Sequence, residues 1–456
     1  MHTQVVRTRA ADVSWAWVAA IVVSVVFLLA PAIWNGYPLL EYDTGGYLAR
    51  WYEGYLVPSR STVYGIYLHL GQGSYFWVNL VFQAVLTLWI LQLTLRVLGM
   101  ARPSRLLAIA LVLILTTALP WLASMLLTDI FAGLAVLSLF LLVVHNDKLS
   151  TVEKILLFLY TSFAAATHSA TFGVLFGLCC LGWITKPLLR QRLSLIGLVQ
   201  GSVTLVVGAA MLLAANFALS GQLAWTPGGA GVSFGRMMQD GIVARYLNDH
   251  CDKIKLKLCP YRNQLPATAD EFLWANDSIF NKLGRFDGMN AEMEFIATEA
   301  LKAYPFWQAE AAAVATVSQL LHVGTGEGTN GWIPHTYGII ERYLPGQKAA
   351  MRAAHQQHWD INFAAINYLH IPVALVSMLL VAAIALGALW RRRLDDIELL
   401  AITVCVALLG NAFICGVISG PHDRYGARMV WIATFVALIA AARYLAKRDE
   451  DASRTA

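Results

Sequence analysis

The chain has 456 residues, of which 58% are hydrophobic and only 13% charged, too few charges to clothe a water-exposed surface of ordinary polarity. Its formal charge of +5 is spread over separate loops, and where charge sits matters more than its sign, so nucleic acid is not an expected partner. Composition excludes an ordinary soluble enzyme and makes the lipid bilayer the first partner of a polytopic membrane protein.

Apolar runs recur, each long enough as a helix to cross a hydrocarbon core roughly 30 Å thick. About ten are expected. They fall at 14–33, 74–98, 104–123, 127–145, 153–167, 169–185 and 193–218, then at 366–390, 397–418 and 428–446. The fifth and sixth are parted only by "FAAATHSATFG". The first, "WAWVAAIVVSVVFLLAPA", offers Ala30 and Ala32 as a cleavage pair, but its apolar core exceeds the usual signal-peptide length, so an uncleaved first helix is expected.

Positive residues fall in alternate loops: Arg7 and Arg9; Arg96, Arg102 and Arg105; Lys148 and Lys154; Lys186, Arg190 and Arg192; Arg391, Arg392 and Arg393; Lys447 and Arg448. Threading ten helices puts all six groups on one side, which by the charge bias of membrane proteins is the cytoplasm. Both termini are then cytoplasmic, in a bacterial-type inner membrane. A membrane module covers 1–218 with an outward first loop at 34–73, and an extracytoplasmic, periplasmic domain covers 219–365. Further transmembrane helices occupy 366–446 and a cytoplasmic tail 447–456. No strand alternation appears, so the fold class is all-α. In the outer domain "DGMNAEMEFIATEALKAYPFWQAEAAAVATVSQLL" has helical periodicity, with Pro305 marking a break.

Cys179, Cys180, Cys405 and Cys415 lie in membrane runs as small apolar residues. Cys251 and Cys259, in "HCDKIKLKLCPYRN", lie where thiols oxidise, and a short-loop disulfide is expected over free thiols or zinc.

The polar residues of interest collect at outward helix ends. Glu41 and Asp43 follow the first helix, with Gly45 and Gly46 permitting tight turns and close ligand approach. Asp129 opens the fourth helix, as a cap or as a functional carboxylate. His168 parts the fifth and sixth. His422, Asp423, Arg424 and Arg428, in "SGPHDRYGARMVW", lead into the last, and two arginines there oppose the usual charge bias. Four sequence-distant sites on one face suggest one pocket. Group transfer from a lipid phosphate fits such a set: a carboxylate takes the proton of an acceptor hydroxyl, and arginine neutralises the leaving phosphate.

This pattern resembles the GT-C superfamily of integral-membrane glycosyltransferases, through "EYDTGGYL" after the first helix, "SRSTVYGIYLHL", the acidic residue ending "ALPWLASMLLTD", and "DRYGARMVW". The resemblance implies a polyprenyl-phosphate sugar donor, a glycan, glycolipid or protein acceptor, Asp43 as base and Arg424 on the donor phosphate. Glu41 precedes Asp43 with Tyr42 between, so either carboxylate could be the base, and Asp129 is a third catalytic candidate. Arg428, Tyr425 and His422 join Arg424 on the phosphate side, with His168, Tyr47, Arg60 and Tyr64 as pocket residues. Asp43, Asp129 and His168 could contribute to a metal, though no ligand spacing specifies one. A glycan ligase or polymerase, a flippase or transporter of lipid-linked sugar, and a non-catalytic membrane scaffold are the alternatives. Coupled transport is disfavoured because the spans carry almost no ionisable residues.

Overall fold

The computed structural model describes residues 14–227, 229–329, 333–391 and 394–455. Arg7, Arg9, Arg392 and Arg393, which carry part of the charge-bias reading, lie outside the described residues, as does the side chain of Lys447. The fold is all-helical: among the described residues there is no β-sheet, and one isolated parallel bridge joins Leu39 to Met125.

The main helices are α1 (Trp15–Leu28), α2 (Thr44–Glu53), α3 (Thr62–Gly71), α4 (Trp77–Val97), α5 (Pro103–Thr116), α6 (Ile130–Val144), α7 (Thr151–Thr167), α8 (Ser169–Thr185), α9 (Leu195–Ser220), α10 (Arg285–Ala303), α11 (Pro305–Leu321), α12 (Pro334–Tyr343), α13 (Phe363–Arg391), α14 (Asp396–Ile418) and α15 (Asp423–Thr455). Among the described residues, five helices are long and apolar enough to cross a membrane: α4, α9, α13, α14 and Asp423–Ala446 of α15. Four shorter apolar helices, α1, α5, α6 and α8, accompany them.

Several expected spans are interrupted. The first breaks at Leu29 into α1 and a short helix Ala30–Asn35, where Pro31 cannot supply the amide that would continue α1. The third ends at Thr116, because Thr117 is extended and Pro120 opens a separate turn, Leu119–Ala123. Between α7 and α8 the extended backbone of His168 makes the break.

α6 is buried from Ile130 to Val143 and forms the middle of the bundle. It is flanked by α7, α9 and α15, and α9 also runs along α7. A Cβ on Gly208 of α9 would lie 2.8 Å from the Ser162 carbonyl of α7, so the small residue lets two backbones approach as membrane helix pairs require. α14 packs against α8, α11, α13 and α15.

A second core lies between α9 and α11. Helices Gly229–Gln239, Ile242–His250, Ala269–Trp274 and Ile279–Lys282 pack with α10 around Phe234, Leu247, Phe272, Phe280, Met289 and Met293. Cys251 and Cys259 are disulfide-bonded there, with Cα atoms 5.6 Å apart. Tyr304 alone parts α10 from α11, whose first residue is Pro305.

Candidate functional site

Two backbone devices bring the first loop to the fourth apolar run. The Leu39 amide donates to the Ser124 carbonyl at 2.9 Å, and the Leu126 amide donates to the Leu39 carbonyl at 3.0 Å. Thr44 Oγ1 adds a bond to the Leu126 carbonyl at 2.9 Å. Glu41 Oε2 accepts the Asp43 amide at 2.7 Å, and Thr44 Oγ1 accepts the Glu41 amide at 3.1 Å, so the acidic loop folds onto the start of α2.

Gly45 and Gly46 sit inside α2 rather than in a turn, which corrects the tight-turn expectation. What approaches them is the chain itself: a Cβ at Gly45 would lie 2.7 Å from Thr336 Cα, and one at Gly46 would lie 3.3 Å from Arg60 Cγ. Thr336 Oγ1 in turn accepts the Gly45 amide at 3.0 Å and donates toward the Glu41 carbonyl at 2.9 Å.

At the start of α15, Arg424 gathers carboxylates from three segments. Its Nη1 lies 2.9 Å from Glu41 Oε1 and 2.8 Å from Asp43 Oδ2, and its Nε lies 3.0 Å from Asp129 Oδ2. Arg60 pairs with the other Asp43 oxygen. Asp129 precedes α6 but makes no side-chain cap bond; its carboxylate is turned to the arginines instead, so the cap reading is set aside. One turn into α15, Arg428 donates from Nε and Nη2 to Asn411 Oδ1 at 3.0 and 2.6 Å and from Nη1 to His168 Nδ1 at 3.1 Å. Its Nη1 lies 3.8 Å from Asp129 Oδ1. Tyr425 lies beneath the Arg424 and Arg428 guanidinium groups and shares a 2.9 Å hydrogen bond with Ser419. Tyr47 and Tyr64 are buried edge-to-face below Arg60, ring centroids 4.8 Å apart.

The two carboxylates of the first loop differ electrically. Burial pushes Glu41 up to about 8; Arg424 opposes the shift, while Asp43 and Asp129 add to it. Burial also acts on Asp43, but Arg60 and Arg424 together outweigh it and hold Asp43 down at about 2. At neutral pH Asp43 is therefore ionised and Glu41 largely protonated. Burial first, and the neighbouring arginines second, depress His168 well below its ordinary value, leaving a neutral ring whose Nδ1 accepts from Arg428.

The expected residues Glu41, Asp43, Asp129, Arg424, Arg428, Arg60 and His168 thus form one connected network, flanked by Tyr47, Tyr64, Tyr425 and His422. Sequence reading missed its outer wall. The loop "GTGEGTN" after α11 carries Glu327, which meets His422 Nδ1 at 2.7 Å and accepts the Arg424 amide at 2.8 Å. Gly328, at φ +75°, backs directly onto Glu41. Asn411 was also missed: it lies within an apolar run, where only its partner Arg428 reveals its use. The glycine density of the loop was the available signal.

Among the described residues no group of three or more His, Cys, Asp or Glu side chains is arranged to hold a metal ion; the carboxylates face arginines rather than a common point. A cavity of about 20 Å³ lies beside Arg424, lined by Asp129, Glu327, Trp121 and Met125, room for about one water. Tyr64 Oη, Thr128 Oγ1 and Asp129 Oδ1 are buried without hydrogen-bond partners. Comparison with known proteins gives no match: no family model fits the chain, and no curated protein or solved structure is significantly similar to it.

Proposed function

We propose that this chain is a GT-C-like membrane glycosyltransferase that moves a sugar from a polyprenyl-phosphate donor to an acceptor hydroxyl on the extracytoplasmic side, within a ten-span bundle. The observation that carries the reading is the convergence of Glu41, Asp43 and Asp129 on Arg424, which joins the first loop, the start of α6 and the start of α15. The acceptor oxygen attacks the anomeric carbon as the bond from that carbon to phosphate oxygen breaks. The polyprenyl phosphate leaves with the electron pair, and Asp43 takes the acceptor's proton. Asp43 suits that task better than Glu41, which is already protonated at neutral pH.

Donor phosphate competes for Arg424. As the guanidinium turns to phosphate oxygens, Asp43 loses one of the cations that hold its basicity down, so donor binding itself raises the base toward its working range. The unpartnered Tyr64, Thr128 and Asp129 oxygens would meet sugar hydroxyls, which supports a polar ligand beside them. A cavity of about one water is too small for a sugar, so the glycine-bearing loop around Glu327 has to move to admit one.

The test is transfer from a panel of labelled polyprenyl-phosphate hexoses and pentoses by protein in lipid nanodiscs. Asp43→Asn should remove most turnover while donor binding persists, and Arg424→Lys should mainly weaken donor use because the planar fork is lost. A second reading rests on the pairing of Arg424 with three carboxylates: the network is a structural knot in a non-catalytic scaffold. Transfer by Asp43→Asn at the unmodified rate would remove Asp43 as the base, and absence of transfer from the whole panel would favour the scaffold.

A further inference from the structure

α11 falls in the segment that hydropathy assigns to the outer domain, yet it lies lengthwise against α14, a membrane-length helix. The two approach closely: a Cβ on Gly416 would lie 2.7 Å from the Ala315 carbonyl. Its direction follows from its contacts with α15. Gln319 exchanges hydrogen bonds with the His422 backbone at 2.8 and 2.9 Å, while Gly426 packs on the His322 carbonyl. Three residues forward along α11 match four forward along α15, so the two run the same way from the site end. α15 begins at the site and runs away from it as a span, and the last turns of α11 descend beside it.

Beyond Glu310, the face of α11 turned away from α14 is apolar and uncovered. Val314, Val317 and Leu321 are exposed, Val317 to 60%. From Ala311 to Leu321 there is no charged residue, a stretch of about 16 Å at helical rise, roughly half a hydrocarbon core. The helix it leans on also has exposed Leu409 and Phe413, so the apolar belt of the bundle continues onto α11. At the other end, Arg245 stacks on Trp307 with its guanidinium carbon 4.1 Å from the ring centroid, the pairing of an aromatic ring with a cation that suits a membrane–water interface.

Hydrocarbon favours non-helical backbone that is paired within the protein, and part of the loop beyond α11 is paired in that way. Asp423 accepts the Gly324 amide at 2.9 Å, and Asn367 of α13 bonds both the amide and the carbonyl of Thr325, at 2.8 and 3.0 Å. Gln356 donates to the Thr329 carbonyl.

We infer that the C-terminal half of α11 is a membrane-embedded segment that enters the outer leaflet and presents Val314, Val317 and Leu321 to lipid acyl chains. This holds whatever reaction the site performs. It places bilayer lipid one helix away from Arg424, since α11 ends on the loop that holds the Arg424 amide.

The test uses full-length protein in phospholipid nanodiscs, with the four unpaired cysteines replaced and a nitroxide on Val317→Cys or, independently, Val314→Cys. Leu386→Cys on α13 is the lipid-facing reference and Glu294→Cys on α10 the aqueous one. The ratio of oxygen to water-soluble nickel collision at Val317 and Val314 should match Leu386 and exceed Glu294 several-fold. A ratio like that of Glu294 would overturn the inference by placing α11 in water, and protection from both agents would overturn it by placing a second protein surface on α11.

Discussion

Among the described residues, acidic and basic side chains from distant segments gather at each end of α14, and the two clusters solve opposite problems. At its start, Asp396 is held by Arg192 at 2.8 Å and Lys148 at 3.3 Å, with His145 3.9 Å away. Three of the four are wet: the Asp396, Arg192 and Lys148 side chains are 27%, 36% and 43% exposed, while His145 is 3% exposed. At its other end, Asp129 and Arg428 are each 1% exposed, Glu41 3% and Arg424 13%. The first cluster has one carboxylate among several bases, of which Lys148 and Arg192 reach water. The second matches three carboxylates with three arginines in a largely buried setting. A buried charge network costs desolvation and tolerates no missing member.

The largest expected effect separates the two clusters directly. Arg424→Met leaves three carboxylates around an apolar side chain and should destabilise the protein by about 3–5 kcal/mol, read as the unfolding midpoint in detergent. Equal unfolding of variant and parent would mean that water reaches the site freely.

Next comes pH. Glu41 is held near 8 against an ordinary 4.5, so the folded chain keeps a proton that the unfolded chain releases, and stability should fall as pH rises from 4.5 and level off above about 8. Asp43 works in the other direction and lower: held at about 2 against 3.8, it costs stability as pH falls through that window. His422, raised from 6.5 chiefly by its hydrogen bond to Glu327, also loses stabilisation as pH rises, so the comparison needs Glu41→Gln, which should flatten the slope between 4.5 and about 8 without removing the part due to His422. An unchanged slope would show that Glu41 is ionised in the fold.

The smallest effect belongs to the exposed cluster. Asp396→Asn should shift unfolding by less than about 1 kcal/mol, with a dependence on salt that Arg424→Met lacks. A loss as large as that of Arg424→Met would end the distinction.

Much of the buried cluster was legible because ionisable residues in so apolar a chain stand out. Asp43, Asp129, His168 and Arg424 do so, and they meet across more than 380 residues. Less legible were partners that work through the backbone. Thr336 and Gln356 carry no charge and no pattern, yet Thr336 bonds the Glu41 carbonyl and Gln356 bonds both backbone groups of Leu40. Helix existence was readable from apolar runs and so was the break at His168, but the breaks at Leu29 and Thr117 fall inside runs read as continuous spans. The course of α11 was hidden because its polar residues, Gln308 and Gln319 among them, mimic a surface helix while its small face seeks another helix.

The isolated pairing of Leu39 with Met125 ties the chain before Glu41 to the chain before Asp129 through the main chain. Successive side chains in extended backbone point to opposite sides, and a shift of one residue exchanges them. Glu41 follows Leu39 by two residues, whereas bends and turns over 126–129 carry the chain from Met125 to Asp129, so the bridge fixes where each acidic segment starts. Length is the vulnerable quantity. A single insertion or deletion along 37–40 or 123–127 would displace one carboxylate relative to the other, whereas a substitution there is felt through packing, since Tyr37, Leu39, Ser124 and Leu126 are buried.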